Sequence, residues 1–255
     1  MLPKISVVFL TYNRAHTLVA AYETFLAHSD YPRDLLELIL SDDGSDARNR
    51  RIIDCLDFDR RLMAKANAGL GASCNKGVAA ASGDFILQLQ DDWILTGRND
   101  YLRRAVETLH SMPDVGMILF RDRPDLPIVE RRQVGGLCVD ILADRLDADG
   151  SISRVADGAY SDNPHLKRGD FHKIVGPYAE GVSMAKMEFE MQKQVCAQSV
   201  YRVATIEGMS VFKHIGDRFS FNPGYKHART VGRISRLPGG PLLLNLARTI
   251  RRKLG

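Results

Sequence analysis

Short apolar runs alternate with amphipathic stretches along the first 120 residues. Residues 5–10, 36–40 and 85–89 are predominantly apolar and have the length of a strand that is buried on both faces. Residues 18–26 repeat apolar side chains at helical spacing, and residues 69–82 are rich in alanine and other small residues. This alternation predicts an α/β fold with a mostly parallel sheet and helices on both of its faces.

The same patterns predict further elements. Helices are predicted at 47–56, 101–111 and 181–198, and strands at 61–66, 115–120 and 201–206. Asn13 is predicted to cap the first helix, and Gly83 to end the helix of small residues. Residues 121–178 contain many Asp, Arg, Gly and Pro residues and are predicted to be irregular.

Polar residues follow three of the predicted strands directly. Residues 11–14 (Thr-Tyr-Asn-Arg) come after the first strand, Asp42–Asp43 after the second, and Asp91–Asp92 after the strand at 85–89. In open α/β sheets, ligands bind in the crevice at the carboxyl ends of the strands. The sequence therefore predicts one binding site that is built from these three clusters.

The composition is that of an ordinary globular protein, with 45% apolar and 26% charged residues. No stretch approaches the roughly 20 apolar residues of a membrane span, and the N-terminus lacks the layout of a signal peptide. The four cysteines are scattered, without a Cys-x-x-Cys pair, which argues against a zinc cluster and against a disulfide framework. We expect a cytoplasmic protein with reduced cysteines.

Basic residues are concentrated at the C-terminal end. The net charge is +4, but residues 226–255 hold eight Lys or Arg and no Asp or Glu, so the rest of the chain is mildly acidic. This distribution does not indicate a nucleic-acid-binding protein. Leu243, Leu246 and Ile250 lie at helical spacing among arginines, which predicts a helix on an anionic membrane surface. The alternative is a helix packed on the domain or on the second subunit of a homodimer.

Two pairs of aspartates supply the candidate chemistry. Asp91–Asp92 could hold Mg²⁺ or Mn²⁺ and so neutralise a nucleotide diphosphate, with a solvated turn or a helix cap as the alternative. Asp42–Asp43 could accept the ring N–H of a nucleotide base, although Asp-Gly-Ser suits any turn. Residues 67–71 offer flexible backbone for phosphates at a helix start. Neither a Gly-x-Gly-x-x-Gly after the first strand nor a P-loop occurs, which disfavours dinucleotide dehydrogenases and P-loop NTPases.

Five segments in order resemble the motifs of the inverting glycosyltransferases of family 2, which have the GT-A fold. These segments are Ser6–Arg14, Leu40–Ser45, Asn67–Gly77, Ala81–Asp84 and Leu89–Trp93. The resemblance is strong over residues 4–93 and can be traced to about residue 216. It implies an enzyme that moves a sugar from a nucleotide-diphosphate sugar to a hydroxyl acceptor with the help of Mn²⁺ or Mg²⁺.

The resemblance also implies roles for individual residues that bind the donor. Thr11, Tyr12 and Asp42 would bind the base and the ribose, and Asp43 would support their loop. Asp92 would coordinate the metal, with Asp91 near the ribose or the metal.

Three further residues complete the predicted donor site, and one residue departs from the family. Arg14 is predicted to contact the diphosphate or the acceptor, and Asn67 and Gly71 are predicted to lie near the phosphates. Where the family commonly has an acidic residue, this chain has Gln90. A neutral amide leaves the site with less negative charge for a metal.

The resemblance places the general base at the start of a helix in the second half of the chain. Glu188 is the best match, Glu190 is the next and Glu180 is the third candidate. Glu188 and Glu190 lie two positions apart, so on a helix only one of them can face the site. His214 would be a further metal ligand or a diphosphate contact. Ordinary surface charges and a structural histidine are the alternatives.

These inferences divide the chain into a nucleotide-sugar-binding half at 1–120, an acceptor-binding half of the same domain at 121–225 and a basic tail at 226–255. The expected acceptor is a saccharide or a lipid-linked molecule in cell-envelope polysaccharide or glycolipid synthesis. The enzyme is expected in the cytoplasm or on the inner face of the plasma membrane. A retaining transferase, a sugar-phosphate nucleotidyltransferase and a non-catalytic nucleotide-sugar-binding protein stay as alternatives, the last favoured by Gln90.

Overall fold

The structure is a computed structural model that describes residues 2–216, and the apolar runs of the sequence form its strands. Within these residues the strands are β1 (Ile5–Thr11), β2 (Leu36–Asp42), β3 (Arg60–Met63), β4 (Phe85–Gln90), β5 (Trp93–Leu95), β6 (Val115–Leu119), β7 (Ile128–Val134), β8 (Leu137–Leu142), β9 (His165–Arg168), β10 (Arg202–Ile206) and β11 (Phe212–His214). The helices are α1 (Ala15–His28), α2 (Ala47–Ile53), α3 (Leu70–Ala80), α4 (Tyr101–Ser111), α5 (Phe171–Val175) and α6 (Met184–Ala197).

Strand β1 is at the centre of the parallel part of the sheet. It pairs in parallel with β2 on one side and with β4 on the other, and β3 lies beyond β2. In this register Thr11 lies opposite Asp42, and Leu10 lies opposite Gln90. The polar residues that follow the three strands therefore meet at one edge of the sheet, as the sequence pattern predicts.

The second half of the chain adds antiparallel strands to the same sheet. The strand order is β3-β2-β1-β4-β9-β6-β10-β8-β7, and β9 runs antiparallel to both of its neighbours. The prediction that residues 121–178 are irregular is wrong, because they contain β7, β8, β9 and α5. β7 is an edge strand whose Ile128 and Val129 are exposed beside charged residues, so its sequence lacks the pattern of a half-buried strand.

Helices cover both faces of the sheet, which confirms the predicted α/β class. Successive side chains of a strand point to opposite faces. Phe9 of β1 belongs to a core with Phe25 of α1 and Tyr101 of α4, and its ring meets that of Phe25 edge-on at a centroid distance of 5.7 Å. Val8 belongs to the core on the opposite face, together with Met191 of α6.

The turn between β1 and α1 differs from the prediction. Asn13 does not cap α1, because Arg14 occupies the N-cap position and forms no side-chain cap bond. Asn13 has left-handed backbone with a φ of 53°, a conformation that asparagine tolerates. Its side-chain oxygen accepts a hydrogen bond of 2.8 Å from the backbone N–H of Asp46. Asn13 therefore joins the turn after β1 to the turn after β2.

The described residues up to His214 form one compact unit, the first of two into which the chain divides. The predicted boundary between the donor and acceptor halves falls inside the first unit, where a single sheet contains strands of both halves. The predicted basic tail at 226–255 lies outside the described residues. Within residues 2–216 no helix is both long enough and apolar enough to span a bilayer. The four cysteines are free thiols.

Candidate active site

Asp42 ends β2 with a fully buried side chain. Its Oδ2 accepts hydrogen bonds from the backbone N–H groups of Gly44 and Ser45, at 3.2 and 3.0 Å. Gly44 has a φ of +84°, and a Cβ at this position would collide with the backbone of Ala66. Oδ1 of Asp42 is buried and has no hydrogen-bond partner in the described part of the chain. Because a buried acceptor without a donor is unfavourable, an N–H group of a ligand would fit here.

Asp43 holds the segment that leads into α3. Its carboxylate accepts hydrogen bonds from the backbone N–H groups of Ala68 and Gly69, each at 2.9 Å. It also accepts one from the side-chain amide of Asn67 at 2.8 Å. Charge-assisted hydrogen bonds of this kind are stronger than neutral ones, so Asp43 fixes this backbone beside the turn after β2. The predicted donor residue Asn67 thus uses its amide within the protein.

The turn after β1 brings two side chains onto the carboxylate pair. Thr11 Oγ1 donates a hydrogen bond of 2.7 Å to Asp91 Oδ2. Arg14 forms ion pairs with Asp91 through Nη2 and with Asp92 through Nη1, the latter at 2.7 Å. The sequence predicts Arg14 near the diphosphate, whereas the structure places its guanidinium directly against the two aspartates. Tyr12 lies half-buried in the same turn.

His214 reaches the carboxylate pair from the other end of the first unit. Its Nε2 lies 3.2 Å from Oδ2 of Asp92. β11 pairs antiparallel with β5, so that His214 lies opposite Trp93, and their ring centroids are 5.0 Å apart. The short two-stranded sheet therefore positions His214 beside Asp92.

The two aspartates differ in their electrostatics. Burial raises the pKa of Asp91 to about 7, against the lowering effect of Arg14. Asp92 is buried as well, but the hydrogen bond with His214 and the charge of Arg14 hold its pKa below the ordinary value. Asp92 is therefore the more readily ionised carboxylate, and the better ligand for a cation.

A divalent metal fits this pair as an ion that is shared with a ligand. Within residues 2–216 no group of three or more His, Cys, Asp or Glu side chains is arranged to hold a metal. Asp92 and His214 offer one carboxylate and one imidazole, and Asp92 Oδ1 is buried without a hydrogen-bond partner among the described residues. Mg²⁺ is usually held by one or two carboxylates together with phosphates of the substrate. This donor set meets that requirement once diphosphate oxygens complete it.

Glu188 of α6 lies against the loop that precedes β9. Its Oε1 accepts hydrogen bonds from the Ser161 hydroxyl at 3.1 Å and from the backbone N–H of Asp162 at 3.2 Å. The side-chain amide of Gln90 donates to the carbonyl oxygen of Asp162 at 3.4 Å. Since Gln90 ends β4 and directly precedes Asp91, these contacts connect Glu188 to the sheet edge that carries the carboxylate pair.

The other two candidate bases lie elsewhere. Glu190 forms ion pairs with Lys186 and Lys193 of the same helix, and its hydrogen bonds with these lysines lower its pKa. Glu180 is exposed and accepts a hydrogen bond of 2.7 Å from Asn75. Of the three glutamates, Glu188 is the one that the contacts above connect to the carboxylate pair.

Sequence reasoning missed Ser161 and Asp162. They lie in the stretch that was predicted to be irregular, and they approach Glu188 only because β9 inserts between β4 and β6. The polar Ser-Asp-Asn run before β9 was the available signal. Gly71 was foreseen for the donor site, and it lies in the first turn of α3, where a Cβ would collide with the Ala179 carbonyl.

Comparison by sequence finds similarity to glycosyltransferases. The sequence profile of glycosyl transferase family 2 matches residues 6–156. An uncharacterized glycosyltransferase of Nostoc sp. is 33% identical over 123 residues, which cover 45% of this chain and 35% of that protein. The chain thus spans about a third of the length of this curated relative.

Comparison by structure finds the same fold. TarS 1-349 of S. aureus in complex with UDP-GlcNAc matches with a TM-score of 0.55 at 18% identity, covering 82% of this chain and 57% of that one. The mannosyltransferase PcManGT from Pyrobaculum calidifontis, in complex with GDP-Man and Mn²⁺, matches with a TM-score of 0.57 at 18% identity, covering 98% of this chain and 65% of that one. These likenesses confirm the GT-A fold that the motif resemblance implied.

Proposed function

Because the chain belongs to glycosyltransferase family 2, we propose that it transfers a sugar from a nucleotide-diphosphate sugar to a hydroxyl acceptor, with inversion at the anomeric carbon. One observation carries this proposal: the unpartnered Oδ1 of Asp42 and the pair Asp91–Asp92 follow neighbouring strands at one edge of the sheet. Asp162 links Gln90, which precedes that pair, to the carboxylate of Glu188.

The turn after β2 would bind the nucleotide. Oδ1 of Asp42 would accept a ring N–H of the base, which satisfies an acceptor that lacks a partner in the described chain. Thr11 and Tyr12 lie in the neighbouring turn, where base and ribose would fit. The complexes of TarS with UDP-GlcNAc and of PcManGT with GDP-Man support a nucleotide-sugar donor for this fold.

Asp92 and His214 would hold a divalent metal, with Asp91 beside it. Bound there, Mn²⁺ or Mg²⁺ would neutralise the charge that develops on the departing diphosphate. The Mn²⁺ in the PcManGT complex supports this assignment. Arg14 adds a fixed positive charge at the same place, since its guanidinium lies against both aspartates.

Glu188 would act as the general base. It would take the proton of the acceptor hydroxyl while that oxygen attacks the anomeric carbon opposite the bond to the diphosphate. The diphosphate would leave with the electrons of the broken bond, and the sugar would be inverted. Ser161 and the Asp162 N–H hold one oxygen of this carboxylate in place.

The acceptor would be a saccharide or a lipid-linked molecule of cell-envelope polysaccharide or glycolipid synthesis. The basic composition of residues 226–255 supports binding to an anionic membrane surface. The enzyme would be cytoplasmic or peripheral on the inner face of the plasma membrane. A homodimer through this tail is the competing proposal.

A thermal-shift screen of nucleotide-sugars tests the proposal. A ligand at about 100 times its dissociation constant adds roughly 2.7 kcal/mol of stability, which raises the melting temperature by several degrees. One class of UDP-, GDP- or dTDP-sugar should stabilise the protein with Mn²⁺ but not with a chelator, and Asp92→Asn should abolish that difference. Stabilisation without any turnover would favour the non-catalytic binder, and no stabilisation by any donor would contradict the proposal.

A further inference from the structure

A chain of buried polar side chains runs from β9 to the loop that holds Glu188. Lys167 Nζ donates hydrogen bonds to Gln88 Oε1 at 2.8 Å and to the Tyr178 hydroxyl at 2.9 Å. The Tyr160 hydroxyl lies 3.0 Å from that of Tyr178 and donates to Asp162 Oδ1 at 2.5 Å. All five side chains are buried, and Lys167 and Tyr160 are fully so. None of these contacts has a part in the reaction steps above.

This series of hydrogen bonds has a basic group, Lys167, at one end and an acidic group, Asp162, at the other. An isolated buried charge is strongly unfavourable unless it is paired and hydrogen-bonded. Burial lowers the pKa of Lys167 to about 7, and burial with the nearby charge of Glu188 raises the pKa of Asp162 to about 7. The hydroxyls of Tyr178 and Tyr160 connect this acid–base pair without water. These hydrogen bonds therefore anchor Asp162 to Gln88 of β4 and Lys167 of β9.

The backbone of Asp162 contacts both parts of the site. Its N–H donates to Glu188 Oε1 at 3.2 Å, and its carbonyl oxygen accepts from Gln90 Nε2 at 3.4 Å. A carboxylate at position 90 could not donate this second bond. Gln90 stands where the family commonly has an acidic residue. Its amide joins β4, which leads to Asp91, to the loop that holds Glu188.

We propose that Asp162 is a positioning residue for sugar transfer: anchored by Tyr160, Tyr178 and Lys167, its backbone fixes Glu188 relative to the carboxylate pair. The inference rests on the proposed function, because it requires Glu188 to receive the proton of the acceptor. The bonds from Ser161 and Asp162 both engage Oε1, and Oε2 is the oxygen that meets the acceptor hydroxyl.

Tyr160→Phe is the variant that tests this inference. It removes one oxygen atom, and with it the contacts to Asp162 and Tyr178, while the ring stays in the core. We expect kcat for transfer to fall about tenfold or more, with the donor KM changed by no more than about twofold, since the donor-binding side chains are untouched. Tyr101→Phe is the matched control, because Tyr101 is equally buried but belongs to the core on the opposite face; its kcat should match that of the wild type.

Two further measurements separate positioning from general stability. Asp162→Asn keeps an Oδ1 acceptor for Tyr160 and should retain more activity than Asp162→Ala. In a Glu188→Gln background, Tyr160→Phe should cause no further loss of kcat, because residues that act through one another are not additive.

Two results would overturn the inference: a kcat for Tyr160→Phe equal to that of Tyr101→Phe, or equal losses from Tyr160→Phe with and without Glu188. If melting curves show that Tyr160→Phe is unfolded, Tyr178→Phe breaks the same chain one residue farther away and is judged by the same criteria. A wild-type protein that transfers no sugar would instead overturn the proposed function, and with it this role of Asp162.

Discussion

Arg14 is the residue on which the charge balance of the candidate metal site depends. Its side chain is 15% exposed and forms ion pairs with two aspartates whose side chains are 1% and 6% exposed. Removing one partner of a buried ion pair leaves an uncompensated charge, which destabilises a protein by about 3–5 kcal/mol. Without a metal, Arg14 therefore compensates the negative charge of these two buried carboxylates.

We predict that Arg14→Met lowers the free energy of unfolding in the presence of a chelator by about 3 kcal/mol. Urea unfolding measures this change. Arg104→Met is the matched control, because Arg104 pairs with Asp100 at the surface, where an ion pair contributes about 1 kcal/mol at most. Equal losses in the two variants would show that the carboxylate pair does not depend on Arg14.

Among the elements, helix α3 connects the turn after β2, which holds Asp42 and Asp43, to the second half of the domain. Asn75 donates to the carbonyl oxygen of Tyr178 at 3.0 Å and to Glu180 at 2.7 Å, and it accepts from the Tyr178 N–H at 2.9 Å. Gly71 lies so close to the Ala179 carbonyl that no side chain fits there. The small residues of α3 thus permit an approach that Asn75 then fixes.

We predict that Asn75→Ala lowers the free energy of unfolding by about 1–3 kcal/mol, because it leaves the N–H and carbonyl of Tyr178 without their partner. Equilibrium denaturation in urea measures the loss. Asn99→Ala is the matched control, since Asn99 is exposed and its substitution should change stability by less than about 0.5 kcal/mol. An Asn75→Ala variant as stable as Asn99→Ala would refute the connecting role of α3.

The elements of the first half could be predicted from the sequence because β1, β2 and β4 are buried on both faces and read as apolar runs. Their ends place Thr11, Asp42 and Asp91 at one sheet edge by register alone. The strands β7 and β9 could not be predicted in this way: β7 is an exposed edge strand, and β9 has four residues, two of them charged. Ser161 and Asp162 were missed for this reason.

The partners of polar and charged side chains could not be predicted from the sequence either. Arg14 is predicted to contact the diphosphate or the acceptor, and its motif does not show that it pairs with two residues about 80 positions away. Asn13 reads as a helix cap, yet it bonds the turn after β2. Such choices depend on distances between turns, and local propensity carries no information about them.

In the whole molecule, one sheet contains the strands that end at the predicted donor residues, β1, β2 and β4. It also contains β9, which follows the loop that contacts Glu188. The contacts of the candidate site given above are made within residues 2–216, and the basic tail at 226–255 lies outside the described residues. Binding to a membrane surface and sugar transfer should therefore be separable in this protein.

We predict that deleting residues 239–255 releases the protein from anionic vesicles and spares donor hydrolysis and transfer to a soluble acceptor analogue. Basic residues near such a surface contribute about 1 kcal/mol each, and salt screens the attraction. Vesicle flotation of both forms at low and high salt measures this. Equal flotation of the two forms, or none by either, would leave the tail as a packing or dimerisation element.

The most direct test of the account is the kcat of Glu188→Gln, measured with the donor that the thermal screen identifies. The amide keeps the shape of the side chain but cannot take a proton from the acceptor. We predict a fall in kcat of roughly 10²–10⁴-fold, with donor affinity preserved, because the loss affects proton transfer alone. Glu190→Gln, which alters a glutamate paired with two surface lysines, should keep the kcat of the wild type. Transfer by Glu188→Gln at the wild-type rate, or a larger loss in Glu190→Gln, would contradict the account.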